Sequence, residues 1–133
     1  MEVKSYTDLK VWQEARTMVK RIYSISQGFP KEEIYGLQQQ VRRCAVSVPS
    51  NIAEGIGRNH NKDTVQFLYV AKGSLYEMET QLYLAMDLNY IQEKTLSEAL
   101  NHVISIRKLL LGFIKYKISK TIVPQHSAPS TQH

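Results

Sequence analysis

Apolar residues recur along this chain at spacings of three and four, the period of one face of an α-helix. Leu9, Trp12, Ala15, Val19, Ile22 and Ser26 trace the first such face. Thr7 is placed to cap it, Asp8 falls in its first turn, and Gly28-Phe29-Pro30 stops it. A second face begins near the acids of Lys31-Glu32-Glu33 and runs through Leu37, Val41, Cys44, Val48 and Ile52 to Ile56, with Gly55 and Gly57 as its stop. The third starts after Asn59 or Asn61 and is the cleanest: Leu68, Ala71, Leu75, Met78, Leu82 and Ala85 alternate steps of three and four. Asp87-Leu88-Asn89-Tyr90 ends it. The fourth covers roughly 92–118, with Leu96, Leu100, Val103, Ile106, Leu110, Phe113 and Ile114 inward. No strand pattern competes. Short connections make consecutive helices antiparallel neighbours, so the pattern predicts an all-α, up-down-up-down antiparallel four-helix bundle over 1–120. Helices of ~25 residues would each be about 37 Å long. Residues 121–133, with Pro124, Pro129 and small polar residues but no periodicity, read as a flexible C-terminal tail.

One position breaks the helical rule. Pro49 lies inside the second helix, where proline removes a backbone hydrogen bond and clashes with the carbonyl of Ala45, at a cost of about 3 kcal/mol or more. Its surroundings, from Ala45 through Asn51 and Glu54 to Gly55, are small. They would let another helix approach closely, while Ser47 and Ser50 hydroxyls are available to backbone groups freed by the proline. Ala71-Lys72-Gly73-Ser74 is a matching thin spot on the third helix. Pro49, Asn51, Glu54, Gly55 and Gly73 are therefore expected to shape a tight helix contact. Apolar residues left over from one bundle, such as Val11, Val70 and Ile104, are expected between subunits.

Composition narrows the chemistry. The 133 residues suffice for one domain, and 43% hydrophobic with 22% charged residues is ordinary globular usage. The single cysteine excludes an internal disulfide framework and fits a reducing, cytoplasmic setting. No apolar run reaches the ~18 residues of a membrane span, and Met1-Glu2-Val3-Lys4 does not open a signal peptide. Di-metal bundles need Glu-x-x-His on two helices. None of the four histidines has Glu three residues before it, so no metal or cofactor is expected. Glu98 and His102 share a face at a spacing of four, as a surface salt link would. Cys44, on the apolar stripe, reads as a small hydrophobe. Gly55-Ile56-Gly57-Arg58-Asn59 lacks the Lys-Ser/Thr and the preceding strand of a phosphate loop. No catalytic set emerges, and the chain is expected not to be an enzyme.

Charge gives the remaining lead. The net +5 is modest but unevenly placed. Residues 74–100 hold Glu77, Glu79, Asp87, Glu93 and Glu98 against Lys94 alone, whereas from Asn101 onward there are Arg107, Lys108, Lys115, Lys117 and Lys120 and no acid. Arg107, Lys108, Lys115 and Lys117 of this run, together with Arg42, Arg43, Arg58, Lys62 and Lys72, define a candidate polyanion-binding set, with Tyr69, Tyr76 and Tyr116 available for stacking. A symmetric oligomer would multiply this charge.

Several segments carry a resemblance. Tyr6-Thr7-Asp8-Leu9-Lys10-Val11-Trp12-Gln13-Glu14-Ala15, then Phe29-Pro30-Lys31-Glu32-Glu33-Ile34-Tyr35-Gly36-Leu37 with Gln40-Val41-Arg42-Arg43, then Val46-Ser47-Val48-Pro49-Ser50-Asn51-Ile52-Ala53-Glu54-Gly55 and Ala71-Lys72-Gly73-Ser74-Leu75-Tyr76-Glu77 follow one another in a single order. The chain in this respect resembles the bacterial four-helix bundle proteins encoded in intervening sequences of 23S ribosomal RNA genes, over about residues 6–118. It is also similar to the accessory proteins of diversity-generating retroelements. The resemblance implies a ring-like homopentamer that binds RNA or DNA and partners a reverse transcriptase or another nucleic-acid enzyme. It brings no catalytic residues. The expected function is non-enzymatic binding of structured nucleic acid through repeated Arg and Lys, with a protein-protein interaction scaffold as the alternative.

Overall fold

The computed structural model describes residues 5–121; the segment 122–133 of the expected tail lies outside the described residues. Four α-helices account for most of the chain: α1 (Lys10–Ser26), α2 (Leu37–Ile56), α3 (Asn61–Asp87) and α4 (Glu93–Thr121). Two short 3-10 turns, Tyr6–Asp8 and Lys31–Glu33, precede α1 and α2, and there is no strand among the described residues. α1 and α3 each pack on both α2 and α4. The four helices thus enclose one core, in which Met18, Ile22, Val41, Val48, Ile52, Leu68, Leu75, Met78, Leu82, Val103, Ile106 and Leu110 are fully buried. All but Met18 belong to the three-four stripes read from the sequence, and burial stabilises the fold by roughly 1.5–3 kcal/mol per large side chain.

Helix ends depart from the sequence reading, each for a local reason. Thr7 does not cap α1. Ser5 caps the first 3-10 turn instead, its Oγ accepting from the Thr7 N–H at 3.2 Å, and α1 starts only after extended Leu9. The acids of Lys31-Glu32-Glu33 belong to the second 3-10 turn, not to α2. Glu33 reaches forward so that its Oε1 accepts the Leu37 N–H at 2.7 Å, which satisfies one of the orphan donors at the start of α2. A Cβ on Gly36 would sit 2.5 Å from that carboxylate oxygen. Gly36 therefore leaves room for the cap.

α3 ends in a Schellman motif: Asn89 adopts φ 64°, the Tyr90 N–H donates to Ala85 O at 2.8 Å, and the Asn89 N–H donates to Met86 O at 2.9 Å. Tyr90 then lays its ring 5.4 Å from that of Phe29 and donates its hydroxyl to Glu33 Oε2 at 2.7 Å. The connection after α1 and the connection after α3 are thereby joined at one end of the molecule. Gly55 is not the stop of α2 but a point of close approach. A Cβ there would meet Phe67 Cβ at 3.0 Å and Thr64 O at 3.1 Å, and Thr64 Oγ1 donates to Gly55 O at 2.7 Å. Gly57 alone occupies the C-cap position. Val11, expected between subunits, is buried in the chain's own core, because it falls on the same α1 face as Ala15, Met18 and Ile22. Val70 is half exposed and Ile104 partly buried.

Candidate nucleic-acid interface

The expected basic residues divide into those held by the fold and those left to solvent. Arg42 is held. Its Nε–H donates to Ser26 Oγ at 2.8 Å, its Nη2 to Tyr23 O at 3.3 Å, and its guanidinium lies 4.4 Å from the Tyr23 ring. With Gln38 Nε2 donating to Ser26 O at 2.9 Å, α2 satisfies the last carbonyls of α1. Arg107 is held by Glu79 of α3 at 2.9 Å, both side chains about one-fifth exposed, and lies over the Tyr76 ring at 4.7 Å. Arg58 pairs with Glu54 at 3.0 Å and covers the Phe67 ring at 4.5 Å. Arg43 donates to Gln40 Oε1 at 2.7 Å. Lys117 reaches Asn61 Oδ1 at 3.5 Å.

The remaining cations differ. Lys108 and Lys115 are exposed, and among the described residues no carboxylate pairs with them or with Lys120. Lys72, partly buried at its stem, lies 5.6 Å from the Tyr69 ring. The Lys117–Asn61 contact brings the end of α4 against the start of α3, so Lys115, Lys117 and Lys120 gather with Arg58 and Lys62 at one end of the molecule. Asp63 and Glu54 lie beside the turn between α2 and α3, and Glu54 is already paired with Arg58. The opposite end, closed by Glu33 and Tyr90, mixes Glu32, Glu33, Asp87 and Glu93 with Lys31, Lys94 and, beside the end of α1, Arg42 and Arg43. Lysines from α4 thus gather with Arg58 and Lys62 at the first end, a feature that sequence order alone does not display, while the second end carries both signs.

The proline block takes a definite form. α2 runs as one helix through Pro49. Asn51 Nδ2 donates to Ser47 O at 2.8 Å and Ser47 Oγ at 2.9 Å, and Ser47 Oγ shares a hydrogen bond with Ser74 Oγ of α3 at 2.8 Å. The Ser47 hydroxyl thus bridges helices instead of serving the carbonyl freed by Pro49, and Ser50 faces solvent. Of the matching thin spot on α3, Ala71 and Ser74 are buried toward α2, but a Cβ on Gly73 would find nothing within 4 Å. Pro49 itself borders an open groove of about 360 Å³ with Trp12, Val19, Val46 and Ala53.

Two clusters were not legible as such. His102 does not link to Glu98 but to α1: its Nε2 lies 3.2 Å from Glu14 Oε1, and Arg21 Nε–H donates to its Nδ1 at 3.2 Å. No short-range signal singles out Glu14 or Arg21, because both partners lie more than eighty residues from His102. Cys44 is 5% exposed and faces Glu77 and Gln81. Burial first, and then the Glu77 carboxylate, push its thiol up to about 11, so the nucleophilic thiolate is suppressed. Among the described residues no three His, Cys, Asp or Glu side chains gather as metal ligands would, and no helix is long and apolar enough to cross a membrane.

A single core enclosed by four helices, with no strand among the described residues, defines a small all-α protein. The chain belongs to the 23S rRNA-intervening sequence protein family, whose model matches residues 7–112. Its fold is similar to the crystal structure of a protein of unknown function from the S23 ribosomal protein family of Bacteroides thetaiotaomicron VPI-5482. The two share 24% sequence identity and superpose with a TM-score of 0.74, over 79% of this chain and 98% of that one. No curated protein matches the chain.

Proposed function

We propose that this protein is a non-enzymatic, oligomeric, up-down-up-down four-helix bundle that binds structured RNA or DNA through its exposed lysines, as an accessory to a nucleic-acid enzyme such as a reverse transcriptase. The observation that carries the reading is the pair Lys115 and Lys120, exposed on the last turns of α4 and without a carboxylate partner among the described residues, gathered at one end beside Arg58 and Lys62. The antiparallel arrangement is supported by the paired positions Gly55–Thr64, Ser47–Ser74, Asn61–Lys117 and Glu79–Arg107, in which one residue number rises as the other falls. Assembly is supported by α3, whose outward side exposes Tyr69, Val70, Tyr76, Tyr83 and Leu84, with exposed Leu88 just past its end. A helix apolar on both sides is normally covered on both. The groove beside Pro49 is a second, different apolar surface, and a closed ring requires two unlike surfaces that meet head to tail. Repetition around such a ring, a pentamer by the family resemblance, would build the field that one chain lacks.

The test is anisotropy binding to a stem-loop of 23S ribosomal RNA across a salt series. Reversing Lys108, Lys115 and Lys120 to Glu is expected to weaken binding at least about ten-fold and to lower the log–log salt slope by about 2–3. Arg107 is left alone, because its reversal would break the pair with Glu79. No binding at low salt, or binding indifferent to salt, would overturn the reading. The alternative of a pure protein-interaction scaffold rests on the exposed α3 surface, and predicts that the triple reversal changes no binding partner while nucleic acid is never bound.

A further inference from the structure

The aromatic rings that the sequence offers for stacking are not equivalent. The face of Tyr76 is filled by Arg107, which Glu79 holds in place, and Tyr23 is likewise covered by the hydrogen-bonded Arg42. Trp12 lies between Tyr6, edge-on at 5.2 Å, and Arg16 at 5.6 Å. Tyr69 has a single lysine, Lys72, beside it. Tyr116 stands apart. It is about half exposed, its ring lies nearly parallel to Phe113 at 18° and 6.3 Å between centroids, and it belongs to the basic end. Lys120 Nζ is 5.4 Å and Lys117 Nζ 6.0 Å from its centroid, with exposed Lys115 next to it in the chain. Among the described residues no carboxylate holds Lys120 there, so its ammonium can leave the ring for a phosphate at little cost. An aromatic ring braced from within the chain and flanked by cations is the arrangement that receives a base on its face and the flanking phosphates on its rim.

We propose that Tyr116 is the stacking platform for an unpaired base of single-stranded nucleic acid, with Lys115 and Lys120 on the adjoining phosphates. The inference rests on the polyanion reading and narrows it: a loop, bulge or end of a structured RNA is gripped here, not its duplex stem. A paired base keeps both faces inside its stack and has none to offer a protein ring.

The experiment compares a short adenine-only strand with a duplex of equal length, at low salt, on the full chain. The single strand is expected to bind more tightly. Tyr116→Ala should weaken single-strand binding about ten-fold and leave duplex binding unchanged, the loss of one base–aromatic stack. Tyr116→Phe should restore the affinity, and Tyr116→Leu, a large apolar side chain without a π face, should not. Circular dichroism of each variant checks that α4 is intact, and the Phe and Leu pair decides the matter should the Ala variant melt early. Equal binding of strand and duplex, or Tyr116 variants that bind as the native chain does, would overturn this inference while the polyanion reading stands. Failure of both oligonucleotides to bind at low salt overturns the polyanion reading and this one with it.

Discussion

At the scale of single residues, the fold repeatedly uses one polar side chain to close two accounts. Glu33 accepts the first free N–H of α2 with one oxygen and the hydroxyl of Tyr90 with the other. The backbone hydrogen bond from Leu37, and then that from Tyr90, hold the Glu33 carboxyl below the usual carboxylate range; the same contact raises the Tyr90 hydroxyl. An acid whose folded pKa is depressed adds stability above its ordinary pKa and loses it as pH falls through the folded value. Glu33→Gln is therefore expected to melt earlier than the native chain at neutral pH, with the gap narrowing once the pH drops below the ordinary glutamate range near 4.5. Thermal melts at stepped pH check this; a gap constant down to the lowest pH would contradict it. Arg42 and Ser26 follow the same economy at the end of α1. Such pairings were invisible in the sequence because the partners are sixteen and fifty-seven residues apart, and because an acid in 31–33 fits the first turn of a helix as well as the turn before it.

At the scale of helices, the three-four pattern was a good guide to the inward face of α3, because apolar burial dominates and Leu68 through Ala85 keep one register, but on α1 it missed Val11 and Met18, which are buried where Trp12 and Val19 are only partly so. It was a poor guide to glycine. Gly55 and Gly73 both sit in helices flanked by small residues, yet one touches α3 and the other touches nothing within the chain. Only the neighbouring helix, fixed by the whole packing, distinguishes them. Gly55→Ala is expected to destabilise by about 1–3 kcal/mol, since Phe67 Cβ and the Thr64 carbonyl must both yield. Gly73→Ala should stabilise an isolated chain by up to about 1 kcal/mol, the ordinary helix gain over glycine. Urea melts at low protein concentration measure both. A Gly73→Ala variant that melts earlier would mean that something outside the chain approaches α3 at that point.

At the scale of the molecule, the distribution of charge was half legible. The run of cations after Asn101 was plain from order alone, but its union with Arg58 and Lys62 required the contact between Lys117 and Asn61. Arg42, Arg58 and Arg107 looked as available as the lysines, and the fold shows them occupied by Ser26, Glu54 and Glu79. The exposed side of α3 belongs to this scale as well. Under the proposed assembly, light scattering at micromolar concentration should give a multiple of 15.3 kDa. Val70→Glu with Leu84→Glu, both half-exposed positions, should reduce the mass toward that of one chain without loss of helicity. A native chain that scatters as a monomer would remove the premise.

The gathering of Lys115, Lys117 and Lys120 with Arg58 and Lys62 at one end has a kinetic consequence. A body charged in this way experiences a torque as well as a pull in the field of a polyanion, and it turns before it touches. Under the proposed binding, encounters would begin basic end first, so a larger share of collisions would start in a useful orientation and the association rate would rise, not merely the lifetime of the complex. Salt would blunt both the pull and the alignment, so association should slow more steeply with ionic strength than for an equal charge spread evenly over the surface.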